Sequence, residues 1–183
     1  MHDAPKTAIC QHVPTLDLDD RTPVQELAEV APAFVDMAHR IVWCVTATTD
    51  VAGSPTTRVL HPVWQWDGDD LTGWIATSPL SPKASHLAAT PQVSLTYWAT
   101  DQDTCTADCD VAWEDTPELR TQGWNRFKNA PAPVGYDPAI IPGWEASSSP
   151  GFGVLRLTPN RLRVMPGSML LTGTGDLLRW HRP

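Results

Sequence analysis

The residues best suited to chemistry form a run of hydroxyls that ends in a lysine, Thr77-Ser78-Pro79-Leu80-Ser81-Pro82-Lys83. The run follows a strand-like segment and opens a short helical one. Hydroxyls, a cationic side chain and the free N–H groups of a first helical turn together favour the binding of phosphate-like anions. The sequence therefore predicts an anion site in which Thr77, Ser78 and Ser81 donate hydrogen bonds and Lys83 supplies a charge.

A second cation, Arg58, lies on the strand-like segment 56–66, two predicted strands away from this run. A hairpin would make the strands neighbours, and the planar guanidinium is suited to binding a phosphate with two hydrogen bonds. Taken singly, Ser81 is better interpreted as a helix cap and Lys83 as a solvated side chain. The combination of hydroxyls, lysine and arginine favours the phosphate site over those interpretations.

The elements that must position these residues are mostly short strands. Runs rich in β-branched and aromatic residues, bounded by turn residues, predict strands at 41–49, 56–66, 71–77, 93–99, 106–114, 152–157, 161–165 and 169–180. Helices are predicted to begin at Thr22, at Ser81 and at Asp115. Six or more hairpin-linked strands without βαβ alternation predict a closed antiparallel barrel with helical caps.

The chain of 183 residues predicts one domain over residues 21–183, preceded by a flexible arm at 1–20 and interrupted by a Pro- and Gly-rich excursion at 129–150. Two local details are also predicted. Pro32 should kink or split the first helix, whose cap is Thr22-Pro23 with Gln25. Gly173-Thr174-Gly175-Asp176 should form a hairpin turn between strands.

Charge and composition exclude several partners. The net charge is −8 and no basic run is present, which argues against nucleic acid and anionic membranes. No apolar stretch is long enough to cross a bilayer, and residues 1–5 lack the features of a secretory signal. We therefore expect a soluble, cytoplasmic protein. Several of the nine tryptophans are expected to line a cleft or a subunit interface.

Other signals point to structure and not to chemistry. Cys44 is interpreted as a core residue, and Cys105 and Cys109 as members of a polar acidic loop with no metal, because zinc and EF-hand spacings fail. Ser147-Ser148-Ser149 lacks a nucleophile elbow and is interpreted as loop. The segment 135–138 is either a lid over a ligand or a plain surface loop.

The central third of the chain resembles a known superfamily. The segments that carry the resemblance are Arg58-Val59-Leu60, residues 76–87, Thr90-Pro91-Gln92-Val93-Ser94-Leu95 and Tyr97-Trp98. They resemble the pyridoxamine 5′-phosphate oxidase-like, FMN-binding split-barrel proteins. The resemblance implies a six-stranded antiparallel split β-barrel (Greek key) with short flanking helices, which assembles as a homodimer with flavin sites at the interface.

By the same resemblance, Arg58, Ser81 and Lys83 would hold the phosphate of the cofactor. The ribityl chain and the ring edge would lie along Val59, Leu60, Thr77 and Ser78, and Trp98 or Trp180 would contact the ring. The chain departs from true pyridoxamine-phosphate oxidases, which carry a lysine where this one has His61-Pro62 and a C-terminal Arg-x-His signature where it has Arg161-Leu162-Arg163. Vitamin B6 oxidation is therefore not expected.

Three functions follow as hypotheses. The first is an FMN-dependent oxidoreductase that transfers hydride through the bound flavin to a small substrate. The second is a deazaflavin-dependent reductase with the same phosphate cradle. The third is a non-catalytic flavin- or haem-binding protein, with His39, His61 and His86 as candidate axial ligands. His61 and Tyr97 are the candidate acid or base, although a single strand histidine or tyrosine is more often structural.

Overall fold

The computed structural model describes residues 24–183. The predicted arm at 1–20 and the Thr22-Pro23 cap lie outside the described residues. The strands are β1 (Cys44–Thr49), β2 (Pro55–Leu60), β3 (Pro62–Trp66), β4 (Leu71–Ala76), β5 (Gln92–Trp98), β6 (Thr104–Trp113), β7 (Val154–Met165) and β8 (Leu178–His181). The helices are α1 (Leu27–Ile41), α2 (Lys83–Ala89), α3 (Pro117–Asn129) and α4 (Gly167–Thr172), with one 3-10 turn at Pro138–Ile140.

All eight strands belong to one antiparallel sheet, ordered β2-β1-β5-β6-β7-β4-β3, with β8 paired to β7. The mainly β, antiparallel prediction is confirmed. The strand count is eight in residues 24–183 where the resemblance implied six. The hydrogen-bonded path ends at β2 and β3 and does not close, so the closed barrel predicted from the strand pattern is wrong. No helix in residues 24–183 is long and apolar enough to span a membrane.

The predicted single strand 56–66 is divided at His61 into β2 and β3. β2 pairs with β1, whereas β3 pairs with β4, so the two lie at opposite ends of the sheet path. Pro62 explains the division, because proline has no N–H for a ladder and pins its own φ, which suits a strand start. His61 consequently sits at a corner between two separate pairings.

Helix α1 packs its apolar stripe into the barrel core. Phe34 is fully buried and meets the Trp64 ring edge-on at 4.9 Å between centroids. Trp64 in turn donates from Nε1 to the Tyr97 hydroxyl at 2.8 Å. Tyr97 is therefore a buried core residue whose hydroxyl already has a hydrogen-bond partner, so it is no longer a candidate acid or base. The core also contains the buried Cys44, as predicted.

Pro32 does not split α1, which is continuous from Leu27 to Ile41. Proline removes one hydrogen bond to the carbonyl four residues earlier, but both Pro32 and Ala28 are exposed, so water can satisfy the carbonyl. The helix begins at Leu27, and the Gln25 side chain accepts from the Arg179 backbone N–H at 2.7 Å. The predicted capping role of Gln25 is therefore wrong.

Strand β6 confirms the strand predicted at 106–114 and begins at Thr104, so the interpretation of Cys105 and Cys109 as loop residues is wrong. Both thiols point into the core and are fully buried. Asp108 and Asp110 alternate with them on the other face and pair with Arg161 and Arg182. Residues 24–183 contain no cluster of side chains able to hold a metal ion.

The C-terminal strand predictions also need correction. The two predicted strands 152–157 and 161–165 form the single β7, with a register shift opposite Asp108 and Cys109 on β6. The predicted strand 169–180 is helix α4 followed by β8. Gly173 ends α4 in the left-handed region, with φ +70°, so the segment 173–176 joins a helix to a strand.

The long excursion after α3 is packed against the barrel. Helix α3 begins at Pro117, two residues after the predicted start, and is capped by Thr116. The Arg120 guanidinium donates to the backbone carbonyls of Ser147, Ser149 and Phe152 at 2.9, 2.7 and 2.8 Å. Trp144 lies edge-on to the buried Phe152 at 5.3 Å. The excursion thus forms a second small core over the end of the sheet.

Candidate functional site

Two cations and several hydroxyls meet where the β1–β2 hairpin faces the start of α2. Arg58, on β2 opposite Thr46, donates from Nη1 to the Thr48 hydroxyl at 2.8 Å and to the Thr46 carbonyl at 3.3 Å. Lys83, the first residue of α2, donates to the Ser81 hydroxyl at 2.6 Å. We call Thr48, Arg58, Ser81 and Lys83 the cationic corner.

The charges in the cationic corner are not compensated within residues 24–183. The ion pairs of this part of the chain include neither Arg58 nor Lys83. Burial, and after it the positive charge of Arg58, lowers the pKa of Lys83. Burial likewise lowers the pKa of Arg58. Because the two partly buried cations repel each other, an anion bound between them would stabilise the folded protein.

The corner is held together by side-chain bonds between elements. Thr48 Oγ1, which accepts from Arg58, also lies 3.0 Å from Nδ1 of His86 on α2. Ser81 donates from Oγ to the Ser78 carbonyl at 2.7 Å, and the Ser78 hydroxyl accepts from the Leu80 N–H. The loop that carries the hydroxyls is thereby fixed against the hairpin.

An apolar cavity of about 510 Å³ lies along the end of β2, where its lining begins at Val59, the residue after Arg58. Its sheet side is formed by Val59 and Leu60 and by Thr77 at the end of β4. The rest of its wall is formed by aromatic side chains from the residues just before β1 and from the excursion, together with Pro133, Ile140 and Ile141. We call this space the aromatic cavity; its lining is Val42, Trp43, Val59, Leu60, His61, Ala76, Thr77, Pro133, Tyr136, Ile140, Ile141 and Trp144.

His61 is the most polar side chain in the lining of the aromatic cavity. Its ring lies between Trp43 and Tyr136, with centroids 5.0 and 5.3 Å away. Its Nε2 is buried and makes no hydrogen bond in the described structure. Burial lowers the pKa of His61, the Val134 backbone raises it by hydrogen bonding, and the nearby His39 lowers it. Burial therefore favours the neutral form of His61.

The sequence matches no protein-family profile and no curated protein. Solved structures do match it over most of its length. A protein from Clostridium acetobutylicum related to general stress protein 26, of the pyridoxinephosphate oxidase family, is 10% identical with a TM-score of 0.59, over 80% of this chain and 89% of that one. A pyridoxamine 5′-phosphate oxidase-related, FMN-binding protein from Nostoc punctiforme is 16% identical with a TM-score of 0.56, over 88% and 94% of the two chains.

The chain has the split-barrel fold of the pyridoxamine 5′-phosphate oxidase-like proteins. A third split barrel of this kind is HutZ, the haem storage protein of Vibrio cholerae, at 21% identity and a TM-score of 0.52, over 74% of this chain and 94% of that one. The fold that the sequence resemblance implied is confirmed. At these identities the likeness extends to the fold alone.

The split barrel brings most of the predicted site residues together. Arg58, Ser81 and Lys83 meet in the cationic corner. Val59, Leu60 and Thr77 line the aromatic cavity. Ser78 lies beneath Ser81 and contributes its carbonyl to the corner. Their roles in binding a cofactor stay predictions.

The two predicted tryptophans lie outside this arrangement. Trp98 is 55% exposed on β5 and donates to the Gln102 side chain at 3.2 Å. Trp180 is buried on β8 against the core, next to Leu27 and Leu71. Neither lines the aromatic cavity, so a ring contact by either one stays a prediction.

Sequence reasoning missed the aromatic side chains that build the cavity. Trp43 was placed inside a predicted strand but lies just before β1, and Tyr136 and Trp144 belong to the excursion. The unusual number of tryptophans was the one available signal. The segment 135–138 contributes Tyr136 to the cavity wall, which favours the covering role over the plain surface loop.

Proposed function

We propose that this split barrel binds a flavin mononucleotide, with the phosphate in the cationic corner and the ring in the aromatic cavity. The observation that carries the proposal is the pair of uncompensated cations, Arg58 and Lys83, beside a cavity whose described lining holds no charged side chain. A ligand with a dianionic end and an uncharged planar end matches both halves of the site.

The residues of the corner suit a phosphate in particular. The Arg58 fork and the Lys83 ammonium would supply the positive charge, and the hydroxyls of Thr48 and Ser81 would donate to phosphate oxygens. Both hydroxyls now accept hydrogen bonds from the cations. The Ser81 hydroxyl also donates to the Ser78 carbonyl, so it would have to turn its proton from that carbonyl to the anion. An anion would also remove the repulsion between the two cations.

The ring end of the site would give orientation and a dry environment. A bound flavin supplies hydride transfer itself, so an oxidoreductase acting on a small substrate is the reaction class that we propose. Val59, Leu60 and Thr77 would position the ring, and the excursion would exclude water from the opposite side. In residues 24–183 His61 is the only imidazole in the cavity lining.

Haem binding is a second candidate function, and one observation favours it. Of the three candidate ligands, His39 Nε2 accepts from the Trp64 N–H at 3.0 Å and His86 Nδ1 bonds to Thr48. Only His61 has a buried nitrogen without a partner in the described structure. Because this nitrogen has no accessible surface, the His61 ring would have to turn towards the cavity to become the axial ligand of a haem.

Titration of the purified full-length protein with FMN, with a deazaflavin coenzyme and with haem tests these candidates. We expect FMN to bind and its fluorescence to be quenched, because Trp43 lines the aromatic cavity. A Soret band that His61→Ala abolishes would establish the haem function instead. Deazaflavin binding without FMN binding would assign the deazaflavin as the cofactor. Binding of none of the three would contradict the proposal.

The proposed assembly is a homodimer. Exposed apolar side chains cluster on the outer face of β1, β2 and β5: Trp43 (59% exposed), Val45 (47%), Val59 (59%) and Trp98 (55%). Val45 lies opposite Val59 on one side and Thr96 on the other, so the four share one face. An apolar patch of this kind marks an interaction site, and a second copy of the chain is the occupant that we propose.

Val45→Lys is expected to dissociate the dimer, because it would bury an unpaired charge in the interface. We expect dimerisation to weaken by roughly thirtyfold or more, measured by sedimentation or light scattering over a concentration series. Val51→Lys is the matched control, because Val51 is 86% exposed in the β1–β2 turn and lies outside the patch. A wild-type protein that is monomeric at all concentrations would contradict the assembly.

A further inference from the structure

Basic side chains cluster on the outer face of the sheet where β7 pairs with β8. Arg163 lies directly opposite Arg179, and Arg161 lies directly opposite His181. These four residues alternate along their strands with residues of the core, so they share the face that is turned away from the core. We call Arg161, Arg163, Arg179 and His181 the basic patch; together they line a cavity of about 120 Å³.

The positive charge of the basic patch exceeds the negative charge beside it. In the described lining of its cavity the one carboxylate is Asp108, which accepts from the Ser94 hydroxyl at 2.5 Å and lies 3.9 Å from Arg161. The ion pairs of residues 24–183 do not include Arg163. Because like charges directly opposite each other destabilise a sheet, a further anion at this place would stabilise the fold.

The chain enters the barrel beside the basic patch. The Gln25 backbone N–H donates to the Arg179 carbonyl at 2.8 Å, and the Arg179 N–H donates to Gln25 Oε1 at 2.7 Å. Gln25 therefore lies along the edge of β8 that faces away from β7. The segment that precedes Gln25 is consequently attached next to the basic patch.

Strand β8 also has an apolar side at this edge. Trp180 follows Arg179 in the strand, so its side chain points to the opposite face. It lines a second cavity of about 280 Å³ together with Leu27, the first residue of α1, and Leu71. An extended segment that alternates acidic and apolar residues would match both sides of β8, because neighbouring residues of a strand point to opposite faces.

The sequence before Gln25 has this alternating pattern. Residues 16–20 are Leu16-Asp17-Leu18-Asp19-Asp20, and Asp20 is five positions before Gln25. An extended chain spans about 3.3–3.6 Å per residue, so these carboxylates can reach across two strands that lie about 4.8 Å apart. We propose that residues 16–20 of this chain bind at the edge of β8, with their carboxylates on the basic patch and their leucines over the second cavity.

Hydrogen exchange of the full-length protein, measured by mass spectrometry, tests the proposal. We expect the amides of residues 16–20 to exchange more slowly than those of an isolated peptide with the same sequence. Replacing Asp17, Asp19 and Asp20 together by asparagine should speed this exchange about tenfold, after correction for intrinsic rates, because charge-assisted hydrogen bonds are lost. These three substitutions leave residues 24–183 unchanged, so the result does not depend on how the barrel tolerates a mutation.

Arg163→Glu should speed the exchange of residues 16–20 in the same way, and adding Asp17→Arg and Asp19→Arg should slow it again, because the paired charges are then exchanged. Lys128→Glu is the matched control, since it reverses a surface charge on α3 outside the basic patch and should leave this exchange unchanged.

Two results would overturn the proposal. One is exchange of residues 16–20 at the rate of the isolated peptide in the wild-type protein. The other is slow exchange that survives both the asparagine substitutions and Arg163→Glu. If inorganic phosphate slows exchange in β7 while residues 16–20 exchange freely, the basic patch belongs to a small anion instead. Each outcome is independent of the cofactor, because the basic patch lies outside the cationic corner and the aromatic cavity.

Discussion

Lys83→Ala is expected to weaken FMN binding by about 1–3 kcal/mol without lowering the stability of the cofactor-free protein. The loss of affinity follows from removing one charge-assisted hydrogen bond to the phosphate. The unchanged or raised stability follows because Lys83 and Arg58 repel each other in the cofactor-free corner. The measurements are FMN titration by fluorescence quenching and thermal unfolding of the cofactor-free variant.

Arg58→Ala should reduce FMN affinity by a similar amount, about 1–3 kcal/mol. It should also lower stability slightly, because Arg58 bonds to Thr46 and Thr48 within the β1–β2 hairpin. Lys128→Ala is the matched control, since this lysine pairs with Asp137 on the surface and its loss should leave FMN affinity unchanged. Unaltered affinity in both corner variants would exclude the phosphate site.

The pH dependence of binding provides a further check on the corner. The pKa of Lys83 is lowered from 10.5, and only its protonated form attracts the phosphate. FMN affinity should therefore fall as the pH rises through this lowered pKa, below 10.5. Lys83→Arg should retain affinity over the same range, because arginine stays protonated. A wild-type affinity that does not change with pH would contradict a role for Lys83.

Arg120→Met is expected to destabilise the excursion by about 2–4 kcal/mol, the scale of several charged hydrogen bonds lost together. The side chain holds the carbonyls of Ser147, Ser149 and Phe152, and methionine would leave all three without this partner. Denaturant unfolding should show a lower midpoint, and hydrogen exchange should increase within residues 130–153. Lys128→Met, which breaks only an exposed ion pair, should change stability by less than about 1 kcal/mol.

The same substitution should weaken FMN binding although Arg120 does not line the aromatic cavity. The reason is that Tyr136 and Trp144, which do line it, belong to the segment that Arg120 holds in place. Retained affinity in a destabilised Arg120→Met protein would mean that the excursion contributes little to the cofactor site. Lost affinity with unchanged stability would argue that Arg120 acts on the ligand directly.

Only part of the cationic corner was predictable, because only Ser81 and Lys83 are close together in sequence. The hairpin that was expected to bring Arg58 to them joins β3 to β4, whereas Arg58 lies on β2, which pairs with β1. Short-range patterns such as the one that contains Ser81 and Lys83 depend on backbone preferences that the residues carry themselves. The mainly β fold followed from the same local signals, repeated along the chain.

The aromatic cavity depended on contacts that no local pattern encodes. Trp43, His61, Tyr136 and Trp144 come from three distant parts of the chain. The boundary between β2 and β3 is decided by the different strands with which they pair. The position of the excursion is decided by the hydrogen bonds that Arg120 donates to its backbone. Thus the amino-acid sequence by itself determined the strand-rich fold and the hydroxyl and lysine part of the charged half of the site. Only the tertiary structure decided the apolar half, because burial and ring contacts arise when segments far apart in sequence pack together.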